Sequence, residues 1–207
     1  MPLVIFMRHG QADNNVNRIL VGRYVESHLT DYGKEQITGT ANLLKGIPIT
    51  KIYSSPVIRT IETAEITSKI LGMPYEIDER LYEIDLGKLV GWNYDEIISK
   101  YGNLFLRFYS QDTLLQTEYG VESFESVKKR VKSILDDILI KHSDGNILLI
   151  THLDPIKAVL SLLLDLKPEA LYNWHMRNAS LTILKHESSI FSLFGVNVIG
   201  MHRYMDE

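Results

Sequence analysis

The sequence predicts an α/β protein, a three-layer α/β/α sandwich around a mostly parallel central sheet with an antiparallel edge. Three observations carry this expectation. Short apolar runs suited to strands buried on both faces occur at Leu3–Met7 and Asn146–Thr151, with Lys51–Ser54 similar. The second and third of these along the chain are each followed by a helical pattern, the alternation that builds a parallel sheet with helices on both faces. A late pair, Ser180–Leu184 and Ile190–Val198, is separated by the polar run Lys185–Ser189 and reads as a hairpin.

Each helix has its own punctuation. The first spans Asp31 to Lys45, with Gly46 and Pro48 beyond its end, and the second spans Val57 to Leu71, followed by Gly72 and Pro74. The clearest is Ser123–His142, where Phe124, Val127, Val131, Ile134, Leu135, Ile138 and Leu139 recur at helical spacing before Asp144-Gly145 stops it. The stretch 84–121 is less periodic and rich in Gly, Tyr and Trp. It is expected to be a lid-like insertion over one end of the sheet, within a single domain covering 1–207.

Composition narrows the function. The chain has 207 residues, 22 Lys+Arg against 26 Asp+Glu, a net charge of −4, and 45% hydrophobic residues. That is ordinary for a soluble globular domain, and large enough to bury a substantial core. The absence of cysteine excludes a disulfide scaffold, a thiolate nucleophile and Cys-ligated metal. A slightly acidic chain lacks the basic field of a nucleic-acid protein, and no apolar run approaches the ~20 residues of a membrane span. With no signal-peptide pattern at the start, a cytoplasmic location is expected.

In open α/β sheets ligands bind beyond the carboxyl ends of the strands, so the residues after Met7, Tyr53, Leu81 and Ile150 are the informative ones. After the first strand comes Arg8-His9-Gly10-Gln11. After the second comes Ser54-Ser55-Pro56, with Ser55 and Pro56 expected to cap and open a helix that carries Arg59. Glu79, Glu83 and Asp85 crowd the third strand end. His152 follows the fourth, with Asp154-Pro155 expected as N-cap and first-turn pair.

A parallel sheet would bring these ends to one rim. Two arginines pair bidentately with phosphoryl oxygens, a histidine ring nitrogen can act as nucleophile, and a nearby carboxyl can protonate the leaving oxygen. The cationic side chains would themselves stabilise the charge, so no metal is called for.

The motifs jointly resemble those of the histidine phosphatase superfamily, in its phosphoglycerate-mutase-like branch (branch 1). Arg8-His9-Gly10-Gln11 is similar to RHG[EQ], and Ser54-Ser55-Pro56 with Arg59, Thr60, Thr63 and Ala64 to SSPxxRTxxTA. Leu81 through Gly91-Trp92 is similar to LxExxxGxxEG, Gly120–Ser123 loosely to GES, and Thr151-His152 to the late [ST]H.

The resemblance implies that His9 is the phosphorylated nucleophile and Glu83 the proton donor. It also implies that Arg8, Arg59, His152 and Asn15 hold phosphate, and that no metal or cofactor takes part. The implied activity is a metal-independent phosphatase acting on a small-molecule phosphomonoester. The alternative is a phosphoglycerate mutase primed by 2,3-bisphosphoglycerate, and a less favoured one an inactive phosphate-binding module. Neither nucleic acid nor membrane is expected as a partner; a homodimer is left open.

Three features depart from the family pattern. Leu153-Asp154 stands where two glycines are common. Arg23–Thr30 replaces a shorter stretch ending in Pro-Leu-Thr. Leu89-Val90-Gly91 lacks a glutamate before its glycine. The insertion carries only Lys88, Lys100 and Arg107 as cations, with seven aromatics that include Tyr94, Phe105, Phe108 and Tyr109. An apolar lid of this kind favours a phosphatase over a mutase. Asn178-Ala179-Ser180 resembles a family element just before a late strand, which would make the Trp174–Asn178 stretch a border of the pocket, but a helix end leading into the hairpin is the favoured expectation. The histidines at 28, 142, 175, 186 and 202 are expected to have surface or core roles.

Overall fold

A computed structural model describes residues 2–110, 113–142, 144–187 and 190–200. Along the chain run β1 (Leu3–Arg8), α1 (Asp13–Asn17), α2 (Asp31–Leu44), β2 (Ile49–Ser54), α3 (Ile58–Leu71) and β3 (Tyr75–Ile77). Then follow α4 (Tyr94–Tyr101), α5 (Leu106–Tyr109), α6 (Leu114–Tyr119), α7 (Phe124–Lys141) and β4 (Asn146–Thr151). The remainder is α8 (Leu153–Leu164), α9 (Pro168–Asn173), β5 (Leu181–Glu187) and β6 (Ile190–Val198).

The strands form one sheet in the order β3-β2-β4-β1-β5-β6. β1, β2, β3 and β4 pair in parallel, and β5 runs antiparallel to both β1 and β6. The mostly parallel sheet with an antiparallel edge is therefore present as expected.

Alternation along the central strands explains the layers. Val4, Phe6, Ile147 and Leu149 face a core shared with α7, α8 and the 84–121 segment. Ile5, Met7, Leu148 and Ile150 face the opposite core, shared with α2 and α3. All eight are fully buried, and each large apolar side chain removed from water contributes about 1.5–3 kcal/mol. Thr30 caps α2 by accepting from Gly33 N, and Ser123 caps α7 by accepting from Ser126 N.

Several local expectations need correction. The third strand ends at Ile77; residues 79–81 form a 3₁₀ turn capped by Asp78, so Leu81 is not a strand end. α3 begins one residue later than expected, and its N-cap position is Val57 rather than Ser55. α8 begins at Leu153 with His152 at the N-cap position, so Asp154 sits inside the first turn and caps nothing.

Candidate active site

Strand register builds the site. Arg8 at the end of β1 lies opposite Thr151 at the end of β4, and Ser54 of β2 lies opposite Ile150. The backbone continues this alignment beyond the sheet, as His9 N donates to Thr151 O (3.0 Å) and Ser55 N donates to Ile150 O (3.0 Å). The sheet thus delivers His9, Ser55 and His152 to one rim. Gly10 is required by a close approach, since a Cβ there would lie 2.6 Å from the carbonyl oxygen of Gly33 in the first turn of α2.

His9 is buried, and its Nδ1 lies 2.7 Å from the carbonyl oxygen of Gly10. A carbonyl only accepts, so Nδ1 carries the proton and Nε2 presents a lone pair. Arg59, at the second position of α3 and also buried, donates from Nε to that Nε2 at 3.3 Å and from Nη2 to the carbonyl of Gly22 at 3.0 Å. Burial, then the charges of Arg59 and Arg8, hold the His9 imidazole well below its ordinary pKa and keep it neutral. Burial draws Arg59 down to about 10, which leaves it charged at neutral pH.

Arg8 donates to the carbonyl of Met176, which ties the site to the loop before β5. Glu83 lines the same cavity. Its Oε1 accepts from Ile84 N (3.0 Å) and Asp154 N (3.2 Å), leaving Oε2 for a proton. Burial and then the charge of Asp154 raise the Glu83 carboxyl to about 7 against the pull of Arg59, a value suited to giving and taking a proton near neutrality. A partly buried network fixes its backbone. Arg23 donates to Glu83 O (2.7 Å), Arg130 donates to Tyr82 O (2.6 Å), and Glu122 accepts from both arginines.

His152 is placed differently from the other candidates. It is fully buried beside His9, with ring centroids 5.2 Å apart, and is not part of the cavity wall. Its Nε2 pairs with Ser55 Oγ at 2.8 Å, which explains why Ser55 is unavailable as a cap. Burial, followed by the Arg59 charge, lowers its pKa well below the usual histidine value. Its Nδ1 and the Nη1 of Arg59 are buried without a hydrogen-bond partner. Asn15 lines the cavity, with its Oδ1 accepting from Ala12 N (3.0 Å) and Asn178 Nδ2 (3.3 Å).

The cavity, about 390 Å³, extends from this end into a chamber walled by Tyr94, Phe105, Phe108 and Tyr109 of the 84–121 segment. The favoured reading of the Trp174–Asn178 loop as a helix end, over a border of the pocket, needs correction here, and Lys157 was not anticipated. Trp174, His175 and Met176 line the chamber, and Asn178 donates to the carbonyl of His9 (3.1 Å), so this loop is more than a lead-in to the hairpin. Lys157 of α8 also lines it, one turn beyond the His152 motif; helical spacing from a strand-end histidine was the available signal. Asp154 faces the chamber too, accepting from the Tyr109 hydroxyl at 2.8 Å.

The other histidines lie elsewhere. His28 pairs with Glu62, His142 with Tyr53, and His186 packs on Phe191; His202, like Asp112 of the 84–121 segment, falls outside the described residues. Among the described residues, no group of three or more His, Cys, Asp or Glu side chains could hold a metal ion. No described helix is long and apolar enough to cross a membrane.

Fold and site together place the protein in a class, α/β proteins that gather a neutral histidine, arginines and a carboxyl at the ends of parallel strands. The chain belongs to the histidine phosphatase superfamily (branch 1), whose profile matches residues 4–198. It is 33% identical over 189 residues to a 2,3-bisphosphoglycerate-dependent phosphoglycerate mutase of Thermoplasma acidophilum, covering 90% of this chain and 88% of that protein. It is 32% identical over 199 residues to the putative phosphoserine phosphatase 2 of Hydrogenobacter thermophilus, covering 95% and 96%. Among solved structures, Bacillus stearothermophilus YhfR superposes with a TM-score of 0.85 at 27% identity, covering 97% of this chain and 98% of that one. The relatives thus include both mutase and phosphatase names, and support phosphatase or mutase chemistry for this chain.

Proposed function

We propose that the protein is a metal-independent phosphatase that hydrolyses small-molecule phosphomonoesters through a phosphohistidine on His9, with Glu83 as proton donor. The observation that carries this reading is the state of His9, with Nδ1–H held by Gly10 O and a bare Nε2 beside the Arg59 guanidinium. The Nε2 lone pair attacks phosphorus while the ester P–O bond breaks, and Glu83 gives its proton to the departing oxygen. Water then attacks the phosphohistidine and yields a proton to the Glu83 carboxylate; the N–P bond breaks, releasing phosphate and restoring His9. Arg8 and Arg59 supply the positive charge that a phosphoryl group needs in flight, which is why no metal is assigned a step. Asn15 borders the same end, and His152 supports His9 from beside it.

The reading sets the enzyme in the cytoplasm, acting on a small molecule rather than on nucleic acid, for which the chain's net charge of −4 offers no basic field. A mutase primed by 2,3-bisphosphoglycerate is the second reading. The Thermoplasma relative favours it, as does Lys157, a chamber cation that does not come from the insertion.

The test is phosphate release without added metal from p-nitrophenyl phosphate, sugar phosphates, nucleotides and phosphoglycerates, with His9→Ala as control. Release that requires His9, with a phosphoenzyme seen by intact mass after a non-acidic quench, is expected. A phosphoenzyme that survives His9→Ala would overturn the assignment. Failure to release phosphate, followed by isomerisation of phosphoglycerate once a bisphosphate primer is added, would select the mutase.

A further inference from the structure

We infer that Lys157 is a specificity residue whose ammonium binds an acidic group, a carboxylate or second phosphate, on the leaving side of the substrate. The inference rests on the phosphatase reading for its setting and on the geometry of α8 for its content. Lys157 is only 3% exposed, yet it lines the cavity shared by His9, Arg59 and Glu83. It stands four residues beyond Leu153, the first residue of α8, a rise of about 6 Å along the helix. The first turn of α8 meets Glu83 through Asp154 N, so Lys157, three residues further along, lines the cavity on the side where Glu83 would protonate the leaving oxygen.

The ammonium is poorly provided for within the fold. It has three donors, and its hydrogen bond among the described residues is a long one, 3.5 Å to the carbonyl of Tyr172. The Tyr109 ring lies 4.8 Å from Nζ, a favourable cation–π placement that leaves the donors unused. No described carboxylate lies within ion-pair distance of it. Asp154, three residues earlier on the same helix, has Oδ1 engaged by the Tyr109 hydroxyl, and it and Glu83 act on Lys157 only through their fields, without an ion pair among the described residues. A buried ammonium is costly unless an anion completes it, and burial draws this one down to about 8, so it remains mostly charged at neutral pH.

The other cations near the chamber are committed. Arg18 at the mouth is held bidentately by Asp95, at 2.6 and 2.7 Å. Arg8 and Arg59 stand at the His9 end, where the reacting phosphoryl group needs them. Lys157 is left to meet a second anionic group.

The experiment compares kcat/KM for matched substrates: 3-phosphoglycerate against glycerol 3-phosphate, phosphoserine against phosphoethanolamine, and a sugar bisphosphate against its monophosphate. The wild type is expected to prefer the acidic member of at least one pair, the first two pairs reporting a carboxylate and the third a second phosphate. Lys157→Met is expected to bring that ratio down by roughly 10- to 100-fold, and Lys157→Arg to retain most of it. A wild type without preference, or a ratio that survives Lys157→Met, overturns the inference.

Lys157→Gln serves as a second neutral variant if the methionine variant does not fold. If the wild type releases phosphate from no substrate, the phosphatase reading fails on its own. Calorimetry with glycerate against glycerol then decides the subsite: tighter glycerate binding that Lys157→Met abolishes supports it, and equal binding overturns it.

Discussion

The Nε of Arg59 lies 3.3 Å from Nε2 of His9, the ring nitrogen that carries no proton. One guanidinium therefore marks the direction of the lone pair and supplies charge where a phosphoryl group would arrive. Arg59→Ala is expected to lower kcat/KM for p-nitrophenyl phosphate by about 10²–10³-fold, the scale for loss of one preorganised donor. Arg59→Lys should recover little, because an ammonium cannot keep both the Nε contact and the Nη2 bond to Gly22 O. Steady-state kinetics on the two variants check this; near-wild-type rates in the lysine variant would count against it.

The role given to Glu83 depends on how poor the leaving group is. Glu83→Gln is expected to slow hydrolysis of alkyl phosphates by about 10²–10⁴-fold and of p-nitrophenyl phosphate far less, since a phenolate departs without a proton. Single-turnover rates of phosphoenzyme formation with both substrates measure the difference. Equal losses would remove Glu83 from the acid role.

Asp154 should tune that acid. The raised Glu83 carboxyl, at about 7, implies that kcat/KM for alkyl phosphates is full at lower pH and falls as pH rises through about 7. Asp154→Asn removes the second cause of the shift, after burial, so the alkaline limb should move to lower pH, by roughly one unit or less. The backbone Asp154 N bond to Glu83 survives the substitution. An unmoved pH–rate profile would refute the tuning.

Folding stability should depend on pH through the two buried rings. His9 and His152 are neutral in the fold with lowered pKa values, so below about 6.5 the unfolded chain binds more protons than the native one. Stability is then present above that pH and declines below it, by up to about 1.4 kcal/mol per pH unit for each ring. Glu83, whose buried carboxyl is raised to about 7, and exposed His28, raised first by its hydrogen bond to Glu62, act in the opposite sense and offset part of this slope. Urea midpoints at several pH values should fall less steeply in His152→Asn than in the wild type.

Glu122 joins Arg23 and Arg130, with side chains only 13–15% exposed. Glu122→Ala leaves two partly buried guanidinium groups without their carboxylate, at an expected cost of about 2–4 kcal/mol in stability. It should also slow alkyl phosphate turnover, because those arginines hold the carbonyls of Tyr82 and Glu83. Denaturant titration and kinetics together test the pair of effects.

The sequence made the framework readable because burial leaves a periodic signature. Val4–Met7 and Ile147–Ile150 are apolar without interruption, since both sheet faces are covered, and Phe124–Ile138 repeats at helical spacing. His9 and Arg59 could be placed near strand ends because parallel strands align their carboxyl termini, whereas Glu83 stood out from Glu79 and Asp85 only through the family resemblance, its supposed strand end at Leu81 being a 3₁₀ turn.

What escaped was set by contacts distant along the chain. Ser55 and Asp154 look like caps locally, but the hydroxyl of the first meets His152, 97 residues away, and the carboxylate of the second meets Tyr109. Lys157 sits among apolar neighbours on α8 and reads as an ordinary helix lysine until the 84–121 segment folds over it. The Trp174–Asn178 loop gave no periodic signal, and only the fold reveals its bonds to His9 and Asn15.

The cavity has two parents. Its His9 end comes from the tips of sheet strands and the first turn of α3, whose positions are dictated by ladder register. Much of its other wall comes from short helices α4 and α5 and the 174–176 loop, which hold no place in the sheet. Exchanging that wall for one from a relative would leave the strand register undisturbed, so reaction and recognition can diverge separately in descendants of this chain. Lys157 is the exception, because α8 is anchored to the sheet by β4 and reaches into the exchangeable half. A graft that ignored it would inherit a stranded charge.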